Sequence, residues 1–193
     1  YIADALTIPV IVDADNGYGN AINVVRTVKE FEHAGVSGIH LEDQVWPKRC
    51  GHMFGKTLIP KEEMCQKLKA AQDAREDPDF VLIARCDAML VNGLDDVLER
   101  CDAYVEAGAD MLFCEVRDSM DEVKAVADHF KGRLPLHWNH SPSPMVPRMS
   151  AKEVEALGFK TCCFYVQSLR NWNSLEERNG AKGLIELNLF NLI

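Results

Sequence analysis

Residues 38–59, GIHLEDQVWPKRCGHMFGKTLI, decide how the chain is read. The run Gly38-Ile39-His40-Leu41 has the character of a buried strand. It ends on two carboxylates, Glu42 and Asp43. A loop follows in which Lys48, Arg49, Cys50, Gly51 and His52 are consecutive, with Pro47, Gly51 and Gly55 to turn it. A thiol among Lys48, Arg49 and His52 is biased toward thiolate and can give or take a proton near neutral pH. An exposed basic loop with an incidental free cysteine would have the same residue types. The neighbouring carboxylates and the pattern elsewhere in the chain point to chemistry instead.

Outward from this stretch, short apolar strands alternate with amphipathic helices. Strands are expected over Ile8–Asp13, Ser37–Glu42, Phe80–Arg85, Asp110–Glu115, Leu134–Asn139 and Lys160–Tyr165. Helices are expected over 20–34, from Pro60 through KEEMCQKLKAAQDAR, over 93–107, over 119–131, and from Ser150 to Gly158. Pro60 suits a first helical turn. Ser150 with Glu153 three residues on forms a capping-box signature. Six strand–helix units, one about every 25 residues, imply a parallel sheet covered by helices.

An open doubly wound sheet and a closed (β/α)8 barrel both fit that repeat. The turn after the first strand, Asn16-Gly17-Tyr18-Gly19, lacks the third glycine of a dinucleotide-binding loop. Polar residues fall at strand ends instead: Asp13 and Asp15, Glu42 and Asp43, Arg85 and Asp87, Glu115, then Asn139 and His140. Successive strands that each deliver a functional group at the C-terminal end are the barrel arrangement. The expected fold is therefore α/β, a partial (β/α)8 barrel with six units over residues 1–170. A divergent or truncated tail follows over 171–193.

Composition narrows the function. The 193 residues are 47% hydrophobic, with a formal net charge of −9. That suits one domain with a real core. It argues against a phosphate-tracking nucleic-acid binder. No apolar run approaches the ~20 residues of a membrane span. The seven cysteines include no Cys-x-x-Cys pair. They read as reduced thiols of an intracellular protein, cytoplasmic or organellar, rather than a disulfide frame or a zinc site.

Asp13, Asp15 and Glu42 would converge at one mouth of such a barrel. Hard oxygen donors without sulfur or histidine suit Mg2+ or Mn2+. Arg85, ending an apolar strand, suits bidentate holding of a carboxylate, or a salt bridge to Asp87 or Glu115. Asn139, Ser141 and Ser143 offer short donors on a proline-broken loop.

Glu42-Asp43-Gln44 followed by Lys48-Arg49-Cys50-Gly51-His52 resembles the signature of the isocitrate lyase/phosphoenolpyruvate mutase superfamily. The likeness is to its carbon–carbon lyase branch, which includes isocitrate lyase, 2-methylisocitrate lyase and the petal death protein. It extends over about residues 8–170. It implies a (β/α)8 barrel in which Ile8–Asp13 stands third, so that two strands are missing from the start.

The resemblance implies Mg2+ held by Asp13, Asp15 and Glu42. It makes Cys50, Lys48, Arg49, His52 and Glu115 catalytic. Asp13, Gly51, Arg85, Asn139, Ser141 and Ser143 would hold a small carboxylic acid, and the intact protein would be a homotetramer. Asn139-x-Ser141-Pro142-Ser143 is similar to isocitrate lyase, whereas Arg49 is typical of the methylisocitrate branch. The serines carry more weight, which makes retro-aldol cleavage of isocitrate the leading expectation. Cleavage of 2-methylisocitrate or a 2-alkylmalate, hydrolysis of oxaloacetate, and an inactive fragment or degenerate paralogue are the alternatives.

Overall fold

The computed structural model describes residues 1–51, 53–116, 119–141 and 146–164. A short helix α1 (Ile2–Ala5) precedes strand β1 (Ile11–Asp13) and helix α2 (Ala21–His33). Strand β2 (Gly38–Glu42) leads through the long loop to α3 (Lys61–Ala74). Strand β3 (Val81–Cys86) is followed by α4 (Met89–Asn92) and α5 (Leu94–Glu106), then β4 (Met111–Cys114) and α6 (Met120–Phe130). Strand β5 (His137–His140), α7 (Ala151–Ala156) and β6 (Thr161–Phe164) complete the described elements.

Several elements start or stop away from their sequence-predicted bounds. The first strand begins at Ile11 rather than Ile8, because pairing with β2 starts at Ile11 opposite Gly38 and Ile8 is exposed. Gly93, at φ 88°, splits the helix expected over 93–107 from the short α4 before it. Ser150 and Glu153 form the anticipated capping box, each satisfying the other's backbone N–H. Asn20 and Asn23 do the same for α2 without the serine or glutamate that usually signals it. The 171–193 tail, and Tyr165 of the last predicted strand, lie outside the described residues.

β1 to β4 pair in parallel in chain order, β5 pairs in parallel with β6, and a parallel bridge from Leu112 to Leu136 joins the two groups. A doubly wound sheet reverses its strand order at a switch point, and no reversal occurs among the described strands. This is the barrel path, in six consecutive units.

Because side chains alternate along a strand, each strand serves two cores. Ile39, Leu41, Leu82, Ala84, Leu112, Leu136 and Trp138 face the helices and join Val24, Val28, Leu68, Val97 and Phe130 in the large core. Each fully buried side chain of this kind contributes about 1.5–3 kcal/mol. Ile11, Ile83, Met111 and Phe113 form a separate small cluster on the opposite, inner face. Phe113 also meets His40 and His137 edge-on, at 5.6 and 5.0 Å between ring centroids. Arg85 lies over its ring at 4.8 Å. The inner face is thus apolar at its floor and turns polar toward the C-terminal strand ends.

No helix among the described residues is long and apolar enough to cross a membrane. None of the seven cysteines, all among the described residues, is joined in a disulfide.

Candidate active site

The two-residue alternation decides which strand-end groups point inward. Asp13 and Asp15 flank the buried Ala14. Asp15 adopts φ 49°, a left-handed conformation that aspartate tolerates better than most residues. Its N–H donates to Asp13 Oδ1 at 2.8 Å, and its carbonyl accepts from Glu42 N–H at 2.8 Å. The loop after β1 is therefore stitched to the end of β2. Gly17 follows at φ 81°, where a side chain would be strained and would strike Val24. From below, the buried Lys67 of α3 donates to the Asn16 carbonyl at 3.0 Å.

Asp13, Asp15 and Glu42 converge on one cation, the ammonium of Lys48. Its Nζ lies 2.7 Å from Asp15 Oδ1 and 3.7 Å from both Asp13 Oδ2 and Glu42 Oε1. Lys48 was expected to stand beside the thiol; its ammonium sits among the carboxylates. Those partners raise its pKa although burial, the largest single influence, lowers it.

Glu42 is fully buried, and among the described residues neither of its carboxylate oxygens accepts a hydrogen bond. Burial pushes its carboxyl up and outweighs the downward pull of Arg85 and Lys48, leaving it at about 7. Among the described residues, no three His, Cys, Asp or Glu side chains are already grouped to hold a metal ion. The donor chemistry nonetheless fits a hard divalent cation. Three carboxylates already gather around a positive charge, and one of them has two orphaned buried oxygens.

Arg85 extends the cluster across the rim. Its Nε lies 2.9 Å from Asp87 Oδ2 and 3.4 Å from Glu42 Oε2, and its Nη2 lies 3.4 Å from Glu115 Oε2. The salt bridges anticipated to Asp87 and Glu115 both exist. Three carboxylates hold the guanidinium charged, its pKa raised well above the usual value against the opposing effect of burial. Glu115 in turn accepts from Asn139 Nδ2 at 3.2 Å, and Cys163 Sγ donates to Asn139 Oδ1 at 3.2 Å. Ser141 is buried just beyond β5. One chain of contacts, Asp13–Lys48–Glu42–Arg85–Glu115–Asn139, runs from β1 to β5 at one end of the sheet.

Asp43 does not belong to it. One residue past Glu42, it turns toward the helices. There it accepts from Tyr104 Oη at 2.8 Å and from the Asp87 N–H at 2.8 Å, with Arg100 at 3.5 Å. It fastens β2 and β3 to α5.

The loop carrying Cys50 lies against the rim. A Cβ on Gly51 would stand 2.4 Å from Arg85 Nη2 and 3.0 Å from Glu115 Cδ, so its backbone rests on both groups. Cys50 is exposed, and the Arg49 guanidinium contacts the Phe54 carbonyl at 3.4 Å. His52 and Ser143 lie outside the described residues. Two supports of this loop escaped the sequence reading. The Gln44 side chain grips the Arg49 backbone twice, at 2.9 and 3.0 Å, and Lys56 is buried beneath Gly51. Neither residue type announces such a role.

Consecutive parallel strands with acidic and basic groups at one rim follow the plan of a (β/α)8-barrel enzyme. The chain belongs to the phosphoenolpyruvate phosphomutase family, which matches residues 1–175. It is 42% identical over 193 residues to 2,3-dimethylmalate lyase of Eubacterium barkeri, covering 96% of this chain and 66% of that one. It is 41% identical over 177 residues to 2-methylisocitrate lyase of Escherichia coli K12, covering 91% and 59%. Among solved structures, phosphonopyruvate hydrolase in complex with oxalate and Mg2+ superposes with a TM-score of 0.75 at 33% identity, covering 93% and 64%. The chain spans between 44% and 66% of the length of such curated relatives.

Proposed function

We propose that the intact protein is a divalent-metal-dependent carbon–carbon lyase that cleaves a 2-hydroxy dicarboxylate or tricarboxylate by retro-aldol chemistry. The observation that carries this is the unbroken contact chain from Asp13 to Asn139, with the Gly51 backbone resting on it. The 2-alkylmalates and 2-methylisocitrate are favoured over isocitrate. The preference for isocitrate rested on Ser141 and Ser143, and Ser143 is outside the described residues. The two curated relatives are named for 2,3-dimethylmalate and 2-methylisocitrate.

Asp13, Asp15 and Glu42 would hold Mg2+, with Lys48 leaving their midst. When bound, the ion would supply Lewis acidity that favours loss of the substrate hydroxyl proton. Arg85 pairs with a substrate carboxylate and fixes the carbon–carbon bond to be broken. When the hydroxyl proton passes to a general base at the rim, the oxygen forms a carbonyl and the adjacent carbon–carbon bond breaks. The electron pair passes to the departing fragment and spreads into that fragment's own carboxylate. Arg85, Asn139 and Ser141 stabilise the new charge as prearranged donors. The Cys50 thiol returns a proton to the carbanion, while the loop from Lys48 to His52 keeps water out. Glu115 keeps Arg85 and Asn139 in register. A homo-oligomer in the cytoplasm is the setting this reading assumes.

The test incubates the intact protein with 2,3-dimethylmalate, 2-methylisocitrate, isocitrate and oxaloacetate, with Mg2+ and with a chelator. One branched acid should turn over, and only with the ion. Cys50→Ser should lower kcat by about 10²–10⁴-fold, the usual worth of a proton donor, with Mg2+ binding intact. Near-normal turnover by Cys50→Ser removes the thiol from the mechanism. Preferred hydrolysis of oxaloacetate replaces the lyase reading with a hydrolase.

A further inference from the structure

Lys56 is fourteen residues past Glu42, near the end of the loop, and the chemistry above does not use it. Its side chain is 1% exposed. Its Nζ donates to the Gly51 carbonyl at 2.9 Å and to Asp87 Oδ1 at 2.8 Å. Asp87, also fully buried, gives its other oxygen to Arg85 Nε at 2.9 Å. A single ammonium therefore ties the carbonyl next to Cys50 to the same carboxylate that aims the candidate substrate clamp. At the base of the loop the two arms pair with each other through backbone. Val45 N–H donates to the Thr57 carbonyl at 2.8 Å, and Gln44 bridges antiparallel to Leu58. Toward the tip, the Gln44 amide holds Arg49 and Lys56 holds Gly51.

We infer that Lys56 is a positioning residue, which seats the Cys50 loop on the rim and couples that seat to the orientation of Arg85 through Asp87. The inference rests on the proposed role of Cys50, and deepens it. A buried ammonium needs acceptors for its three N–H groups, and Asp87 takes one of them. The second goes to the Gly51 carbonyl, which belongs to the Cys50 loop and not to the sheet, so the group that satisfies Lys56 also fixes the loop. Gly51 also brings the main chain against Arg85, with no room for a Cβ. Lys56 touches no reacting atom and acts only through Gly51 and Asp87.

The experiment compares Lys56→Met and Lys56→Gln with the parent in the intact protein. Folding is followed by thermal unfolding, and amide hydrogen exchange of the peptide carrying Cys50 and Gly51 is read by mass spectrometry. If the loop is seated by Lys56, that exchange should speed up by about tenfold or more, the factor a hydrogen bond from a charged group is worth. The kcat should fall by about 100-fold, as for a small displacement of a reacting group, with KM changed much less. Lys56→Gln keeps a neutral donor and serves if Lys56→Met does not fold; it should show the same two changes at smaller size. A folded variant with unchanged exchange and kcat overturns the inference. The exchange readout needs no turnover, so it still decides the seating of the loop if Cys50→Ser proves fully active.

Discussion

Glu42 gives the most demanding test of the acidic cluster, because two effects of opposite sign act on it. Arg85 and Lys48 favour its charged form; burial disfavours it, and burial wins. The carboxyl rises from 4.5 to about 7, which at about 1.4 kcal/mol per pH unit amounts to roughly 3 kcal/mol. The sign follows from proton binding. Between those values the folded chain keeps a proton that the unfolded chain has lost, so stability falls as pH rises from 4.5 through 7. Above pH 7 the folded chain carries a buried carboxylate without a hydrogen bond.

Glu42→Gln keeps the shape and removes the charge. In the intact protein with chelator present, urea unfolding should show the variant about as stable as the parent at pH 4.5. At pH 8 it should be more stable by up to about 3 kcal/mol. Mg2+ at pH 8 should then stabilise the parent more than the variant, because only the parent offers the third carboxylate. A variant less stable than the parent at pH 8 without metal would refute the reasoning. Lys48 and Arg85 would then need the Glu42 charge more than burial opposes it.

Two further outcomes are expected. Gly51→Ala should cut kcat by about 100-fold and raise KM, with little change in thermal midpoint. Its Cβ must push aside an Arg85 guanidinium that Asp87 and Glu115 hold in place. Unchanged kinetics would show that the loop stands off the rim. Burial pushes the Asp87 carboxyl up, but Arg85 and Lys56 outweigh it and hold it at about 2, so its contribution is present above the ordinary carboxylate range and is lost as pH falls through 2. Asp87→Asn leaves the buried Lys56 ammonium without its carboxylate and takes one of three from Arg85, and should cost about 3–5 kcal/mol at pH 7. The loss should narrow between pH 4 and 2, as acid unfolding of parent and variant would read.

The sequence showed the path of the strands and the rim, and the reason is periodicity. A parallel strand buried on both faces is a continuous apolar run, and its first interruption marks its C-terminal end. Asp13, Arg85 and Glu115 were visible as such interruptions, while Glu42 and Asn139 each follow an earlier histidine of the same strand, His40 and His137. The same alternation could have excluded Asp43, which follows an inward Glu42 and must face the helices, where Tyr104 and Arg100 take it up. Loop side chains have no such rule. Lys48 and Lys56 lie in the same loop, yet one ammonium reaches the carboxylates of β1 and β2 and the other a carboxylate beyond β3. Which lysine serves which acid depends on how an eighteen-residue stretch, 42–59, folds back over the rim. Only packing specifies that: the room left beside Gly51, the grip of Gln44 and the depth at which Asp87 is buried. The place of the loop beside the rim was legible from the sequence, because it leaves the C-terminal end of β2. Its wiring was not, since a flexible four-carbon stem leaves an ammonium free to choose among every carboxylate within its reach.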